Sequence, residues 1–309
     1  MKVVVTGGSG FIGSYVALEL AKDPDTEVVI FDIVVPDHDW KAPDNVKYLH
    51  GDIRYLEEVI EATKDAEEVY DIAGVLGTSE LNFANARAID TNVGGAANVL
   101  EACRINGVSR IFHPTKPNDW LNTYSITKFG SEQFCLQYAQ EYNMNIVCLK
   151  WFNAYGSRQH PYPIRKLLPT LCIQASRGVP MGVFGDGEQT VDLIHVEDIA
   201  KIVVHCTRNH YDLGKVIDVG SGDAMTVNAV AEIVGNASGK EWSVNHLPMR
   251  VGEPERTNIK ADVVELRSIY DFELRDVKEG LIETYEYYAG LPDHIVHNSF
   301  RYWGENPVT

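Results

Sequence analysis

Short runs rich in β-branched residues recur at 3–5, 27–31, 67–72, 109–113 and 145–150, with a more mixed run at 46–50. Each is of strand length and is bounded by turn residues. Between them, apolar residues step by three and four over 15–22, 55–63, 83–106 and 122–142, which is the helical period. Over 83–106 the stripe is Ile89, Val93, Ala97, Leu100 and Cys103, interrupted by the polar Asn92 and ended by Gly107. Strands alternating with helices in this way predict an α/β fold built on a doubly wound parallel sheet.

Beyond residue 153 the pattern is less regular. Pro161 and Pro163 precede a helix at 165–177, a short strand at 181–184 and a glycine-rich turn. A helix at 195–208 and a strand at 215–219 read as a return to the first sheet, so two domains are expected to interleave. The expected division is 1–152 with about 191–222 against about 153–190 with 223–309. A helix at 227–237, a strand at 241–246 and helices near Lys260 and at 276–288 complete the smaller domain. The tail, 291–309 with Phe300, Tyr302 and Trp303, is expected to pack back on the body, a disordered tail being the alternative.

The first strand empties into Gly7, Gly10 and Gly13, with Phe11 and Ile12 between the last two, and the helix at 15–22 follows. Glycines at that spacing allow a tight turn, close approach of backbone to a pyrophosphate and close helix–sheet packing, with helix N–H groups facing the anion. An ordinary strand-turn-helix is the bland reading of a glycine triplet. Against it stands Asp32, nineteen residues after Gly13 at the end of the second strand. A carboxylate there can accept from an adenosine ribose and would repel a 2′-phosphate, which favours NAD over NADP. Asp52 and Ile53 follow the third strand, where the aspartate can meet an adenine amino group or cap a helix. Ala73, Gly74 and Leu76 follow the fourth strand, small or flat positions against which a cofactor or sugar can lie.

Tyr124 and Lys128 stand four residues apart at the start of the 122–142 helix, on one face. A cation beside a phenol favours phenolate, so Lys128 is expected to lower the Tyr124 pKa and make it a proton-transfer group. Taken alone, such a pair is a common accident on helices; its place after a nucleotide loop and a fifth strand favours catalysis. His113 and His195 read as core or hydrogen-bonding residues, since no second and third ligand stands at metal spacing. Arg158, Arg165 and Lys166 are equally a phosphate-facing cluster or a solvated face.

Composition narrows the partners. Acidic residues outnumber basic ones 44 to 27, a net charge of −17 that argues against nucleic acid. Cys103, Cys135, Cys148, Cys172 and Cys206 are an odd, scattered set that reads as reduced thiols, with no metal site. The chain opens directly on a strand, and no apolar run approaches the roughly eighteen residues a bilayer requires. No membrane association is expected, and a cytoplasmic protein is.

The chain resembles the extended short-chain dehydrogenase/reductases, specifically the NAD-dependent sugar-nucleotide epimerase/dehydratase group. The resemblance rests on Thr6-Gly-Gly-Ser-Gly-Phe-Ile-Gly13, on Tyr124 with Lys128, and on the Trp151–Gln159, Gly185–Gln189, Asp192–Asp198, Asp218–Gly222 and Arg250–Glu253 segments. It implies a Rossmann-type sheet with a smaller, interleaved C-terminal α/β substrate domain. Tyr124 is then the acid/base, Lys128 the residue that holds the nicotinamide ribose, and Thr115 the hydroxyl orienting the reacting oxygen. Gly7, Gly10, Phe11, Ile12, Gly13, Asp32, Asp52, Ile53, Ala73, Gly74 and a structural Asn92 would complete the cofactor site. Leu76, Thr78, Asn153, Phe184, Gln189 and Arg250 would meet the sugar nucleotide, with Arg250 on the diphosphate. A homodimer is implied too, with Phe129, Phe134 and Leu136 able to supply apolar surface.

The chain departs from that group in three places. Thr115 lies only nine residues before Tyr124, between Pro114 and Pro117. Lys116 and Pro117 stand where dehydratases and decarboxylating relatives carry acidic residues, and Val191 where many relatives carry an arginine. The reading is an epimerase that acts at C4 of an NDP-hexose or NDP-uronate, UDP-linked, through a transient 4-keto sugar. An NAD-linked keto-sugar reductase, dehydrogenase or dehydratase, or a non-catalytic NAD-binding regulator, are the alternatives.

Overall fold

The computed structural model describes residues 1–34, 42–209, 214–271 and 273–305. In chain order the first elements are β1 (Lys2–Thr6), α1 (Phe11–Leu20), β2 (Glu27–Asp32), β3 (Val46–His50), α2 (Leu56–Thr63), β4 (Glu68–Asp71), α3 (Asn85–Ala88) and α4 (Ala96–Asn106). Next come β5 (Arg110–Thr115), α5 (Thr123–Tyr142), β6 (Ile146–Trp151), β7 (Asn153–Tyr155), α6 (Leu167–Arg177), β8 (Met181–Phe184), β9 (Thr190–His195) and α7 (Val196–Asn209). The chain continues through β10 (Val216–Val219), β11 (Ala224–Thr226), α8 (Val227–Ala237), β12 (Val244–Leu247), α9 (Val264–Ile269), α10 (Val277–Ala289) and α11 (Asp293–Trp303).

These elements form two compact units. The first comprises Met1–Trp151, Glu197–Val219 and Asp262–Phe272. Its seven-stranded sheet has the order β10-β6-β5-β4-β1-β2-β3, with each pairing parallel. This is the doubly wound arrangement the alternating pattern predicts. Val4, Val29, Val69 and Ile111 from adjacent strands pack with Val99, Leu100 and Cys103 of α4 in one buried cluster.

The long helix expected over 83–106 is in fact broken into differently wound segments. A 3₁₀ turn (Glu80–Phe83) and α3 lead into a π-helical stretch, Ile89–Gly95, before α4 resumes the α-helical rise. Adjacent glycines, Gly94 and Gly95, weaken helix propensity at that point, and Asn92 is drawn out of register by hydrogen bonds described below.

The second unit comprises Phe152–Val196, Gly220–Ala261 and Glu273–Thr309. It holds a three-stranded sheet, β11-β9-β7, and a two-stranded parallel one, β12-β8. Its core gathers Leu171 and Cys172 of α6, Val230 and Val234 of α8, Leu281 and Tyr288 of α10, and Val296 and Phe300 of α11.

The expected division needs two corrections. Residues 191–196 and 220–222 belong to the second unit, because β9 pairs with β7 and β11 and not with the large sheet. Asp262–Phe272 returns to the first unit. The helix expected near Lys260 begins only at Val264, whose N–H donates to Asp262 Oδ1; Asn258 instead bridges to Thr190. The tail from 291 is mostly helical, and Glu305 beyond it pairs with Arg165 at 2.7 Å; residues 306–309, like 35–41, lie outside the described residues.

Phe300 is almost fully buried at the centre of the second core. Phe300→Ala is expected to cost about 3–5 kcal/mol, read as a lowered urea midpoint.

Candidate active site

The dinucleotide loop is set by β1 and the exit of β4. Gly7 takes a φ of +67°, and a Cβ there would stand 2.7 Å from the Ala73 backbone. Gly13 is equally constrained, since a Cβ would collide with the Gly7 carbonyl oxygen. Gly10 is the N-cap of α1 and offers no side chain to the first turn, which Phe11 and Ile12 open. The N–H groups of that turn are thus the kind that accept a pyrophosphate.

Asp32 ends β2 beside this loop. Its Oδ2 accepts from Ser9 N–H at 3.0 Å and its Oδ1 from Val34 N–H at 3.0 Å. Asp52 is not a helix cap: its carboxylate accepts from the Arg54 N–H at 2.9 Å and pairs with the Arg54 guanidinium at 2.5 Å. The guanidinium holds the Asp52 carboxyl below the usual carboxylate range, and α2 starts behind Tyr55 without a side-chain cap. Ile53 is buried in the first core.

Asn92 uses the widened π turn to reach across to the chain leaving β4. Its Oδ1 accepts from Val75 N–H at 2.8 Å, and its Nδ2 donates to Val75 O at 2.9 Å and to Thr127 Oγ1 at 3.0 Å. Gly74 lies against Asn92, where a Cβ would come within 3.0 Å of its Oδ1. The Ala73–Gly74 strip and α5 are therefore clamped by one side chain. Leu76 is exposed and Thr78 half-buried further along the same segment.

Asn122 caps α5, accepting from Ser125 N–H at 2.9 Å, and so fixes Tyr124 and Lys128 in the first two turns. Burial pushes the Tyr124 phenol up to about 12, the reverse of the lowering expected from Lys128. The Lys116 ammonium lies 5.4 Å from the centre of the Tyr124 ring and 4.9 Å from that of Trp120, and donates to Ser125 Oγ at 3.0 Å. Thr115, the last residue of β5, is buried with its Oγ1 unpartnered.

Lys128 turns to His113, Nζ to Nε2 at 3.4 Å. His113 Nδ1 lies 2.9 Å from Asp71 Oδ2, and Thr6 Oγ1 donates to Asp71 Oδ1 at 2.8 Å. Asp71 was not singled out in the sequence; His113, read as a core or hydrogen-bonding residue, is both. The signal was there in the register: Tyr70 pairs with Phe112 across β4 and β5, so the next residue of each strand, both polar and both buried, are neighbours.

In the second unit, Phe184 at the end of β8 lies between two guanidinium groups, Arg165 and Arg250, each 5.2 Å from its ring centre. Gln189 Nε2 donates to Phe184 O at 2.7 Å, while its buried Oε1 is unpartnered. Arg250 also pairs with Glu253 at 2.5 Å. Arg165 is not a solvated cation, being paired with Glu305 and packed on Phe184 and Trp303. Asn153 Nδ2 donates to Asp192 O at 3.4 Å, and Val191 packs against the second core. His195 stacks edge-on with Tyr155 in the interior. Among the described residues, no cluster of three or more metal-ligating side chains occurs, and no helix is long and apolar enough to cross a membrane.

The loop, the carboxylate at Asp32 and the Tyr124–Lys128 helix define a dinucleotide-dependent enzyme. The sequence model of the NAD dependent epimerase/dehydratase family matches residues 3–220, and the chain belongs to that family. NAD is therefore its cofactor. The chain is 25% identical to the uncharacterized UDP-glucose epimerase YtcB of Bacillus subtilis, over 94% of this chain and 99% of that protein. It is also 25% identical to a UDP-N-acetyl-alpha-D-glucosaminuronate decarboxylase of Bacillus cytotoxicus, over 94% and 98%. The crystal structure of UDP-glucuronic acid 4-epimerase from Bacillus cereus, with UDP-glucuronic acid and NAD, superposes with a TM-score of 0.85 at 24% identity, over 93% and 99%.

Burial and the Lys128 cation both lower the His113 pKa, with Asp71 opposing. His113 is then neutral in the fold and charged on unfolding in acid. Its contribution to stability is present above its unfolded pKa of about 6.5 and is lost as pH falls through the lower folded value. Urea midpoints should therefore fall more steeply below about pH 6.5 in the wild type than in His113→Asn.

Proposed function

We propose that the chain epimerises a UDP-sugar at C4. The carrying observation is the buried, unpartnered Thr115 hydroxyl at the end of β5, in the unit that holds the glycine loop and the Tyr124–Lys128 helix. The residues that would hold NAD are the α1 N-terminus, Asp32, Asp52, Ile53, Ala73, Gly74 and Lys128. NAD, when bound, supplies hydride transfer out of and back to the sugar carbon. Tyr124 takes the proton from the C4 hydroxyl as that carbon is oxidised and returns it as the carbon is reduced. Thr115 Oγ1 donates to the reacting oxygen and fixes its direction. Lys128, four residues on along α5, is the cation assigned to favour the phenolate that the step needs, against the burial that raises the phenol. Phe184, Gln189, Arg250 and Asn153 take the nucleotide and its diphosphate, with Leu76 and Thr78 beside the sugar.

Lys116 and Pro117 put no carboxylate directly behind Thr115, which disfavours dehydration and decarboxylation, since both need a further acid or base there. A second reading, an NAD-linked keto-sugar reductase, draws support from the raised Tyr124 phenol, which is poised to donate a proton to a keto oxygen. The two differ in whether NAD stays bound: an epimerase purifies with NAD that survives turnover, whereas a reductase must exchange it.

The five thiols are free and buried, which supports a cytoplasmic protein. Phe129 and Ile126 of α5 are 61% and 56% exposed, apolar surface that supports a homodimer through this helix. Phe134 is also exposed and Leu136 half-buried. Phe129→Glu is expected to halve the mass seen by light scattering while leaving the circular dichroism unchanged.

Tyr124→Phe should retain the fold and NAD yet lose about 10²- to 10⁴-fold in turnover, followed by NMR of ring protons in a UDP-sugar panel. Wild-type turnover in that variant would sink the assignment.

A further inference from the structure

Lys128 sits in a place where a charge is expensive. Burial lowers its pKa, and the groups that oppose this are Asp71 of β4, Cys135 and Glu132 of α5 and Cys148 of β6, Asp71 foremost. Cys135 is a neutral thiol, its pKa pushed well up by burial. His113 of β5 stands between the ammonium and Asp71, 3.4 Å from one and 2.9 Å from the other. All the polar capacity of Asp71 is spent inside the fold. The Thr6 hydroxyl accepts from Ile72 N–H and Ala73 N–H, both at 3.1 Å, so its single proton goes to Asp71 Oδ1. The remaining oxygen, Oδ2, has His113 Nδ1.

That inventory fixes the protons. A buried carboxylate persists only if its oxygens are met by donors, so Nδ1 carries the imidazole proton. Nε2 is then a lone pair facing Lys128 Nζ at 3.4 Å, which can donate to it, and Ser131 Oγ at 3.0 Å, whose single proton is shared between Nε2 and the Lys128 carbonyl oxygen at 2.9 Å. A second proton on the ring would set two cations 3.4 Å apart, so the ring and the lysine hold one positive charge between them against one negative charge on Asp71.

We propose that Asp71 and His113 are the built-in counter-charge of Lys128: His113 keeps Asp71 ionised, and Asp71 keeps Lys128 protonated. Both are positioning residues that act through Lys128. The inference rests on the reading of Lys128 as the partner of Tyr124, but its test does not need turnover. In ¹³Cε-lysine-labelled protein the Lys128 resonance, identified by its loss in Lys128→Met, reports the ammonium titration directly. Asp71→Asn removes the counter-charge, and His113→Leu strips Asp71 of its donor so that it takes up a proton. Each should lower the Lys128 midpoint by about 1 to 3 pH units, the effect of one nearby opposite charge. His113→Asn places an amide N–H near the position of Nδ1 and should leave the midpoint at the wild-type value. Should His113→Leu fail to fold by circular dichroism, Asp71→Asn decides alone. A wild-type midpoint in Asp71→Asn, or an equal fall in His113→Asn and His113→Leu, overturns the proposal. An unmoved wild-type UDP-sugar panel together with the expected shifts would instead overturn the epimerase reading and leave the counter-charge standing.

Discussion

A carboxylate sealed inside a parallel sheet has to be met by donors from its neighbours, and Asp71 is met from both sides. In the order β5-β4-β1 it is the middle residue, bonded to Thr6 on one flank and His113 on the other. This cross-strand tie lies where the three strands end. Immediately beyond Thr6 comes the glycine loop, beyond Asp71 the Ala73–Gly74 strip, and beyond His113 the Thr115 hydroxyl. The three segments that follow these strands are thus tied near their roots to one buried charge. Asn92 adds a second clamp, from the π turn to Val75 and Thr127, so that the helix with Tyr124 is held against the same strip.

The second unit solves its assembly with another buried carboxylate. Asp192 of β9 accepts from Ser221 N–H, Gly222 N–H and Ala261 N–H, at 2.7, 3.0 and 2.9 Å, and from the Ser221 hydroxyl at 2.8 Å. It gathers three stretches distant in sequence. In the same unit the Arg165 and Arg250 guanidinium groups each stand 5.2 Å from the centre of the Phe184 ring, and each is steadied by its own glutamate.

What was legible in the sequence was local. The glycine triplet, Asp32 at the end of a strand, and the four-residue step from Tyr124 to Lys128 are all set by the geometry of a single turn or helix. The seven parallel strands followed from alternation alone. What escaped depends on pairing between strands: β7 and β11 are three residues each, too short to show a period, and β9 looks like part of a returning helix unit until its neighbours are known. Asp71 and His113 are 42 residues apart and become partners only through the register of β4 on β5. Lys116 escaped for a different reason. It was read as the absence of an acid, whereas its ammonium lies against the Trp120 and Tyr124 rings and donates to Ser125 Oγ.

The π-helical stretch has a consequence for how α4 meets the sheet. A π turn carries about one residue more than an α turn, so the stripe beginning at Ile89 slips out of phase before α4 begins. Ile89 is accordingly 52% exposed while Leu100 and Cys103 of the same stripe are buried. The wide turn thus serves two ends at once: it carries Asn92 to Val75 and Thr127, and it sets the inward face of α4, with Leu100 and Cys103, against the sheet.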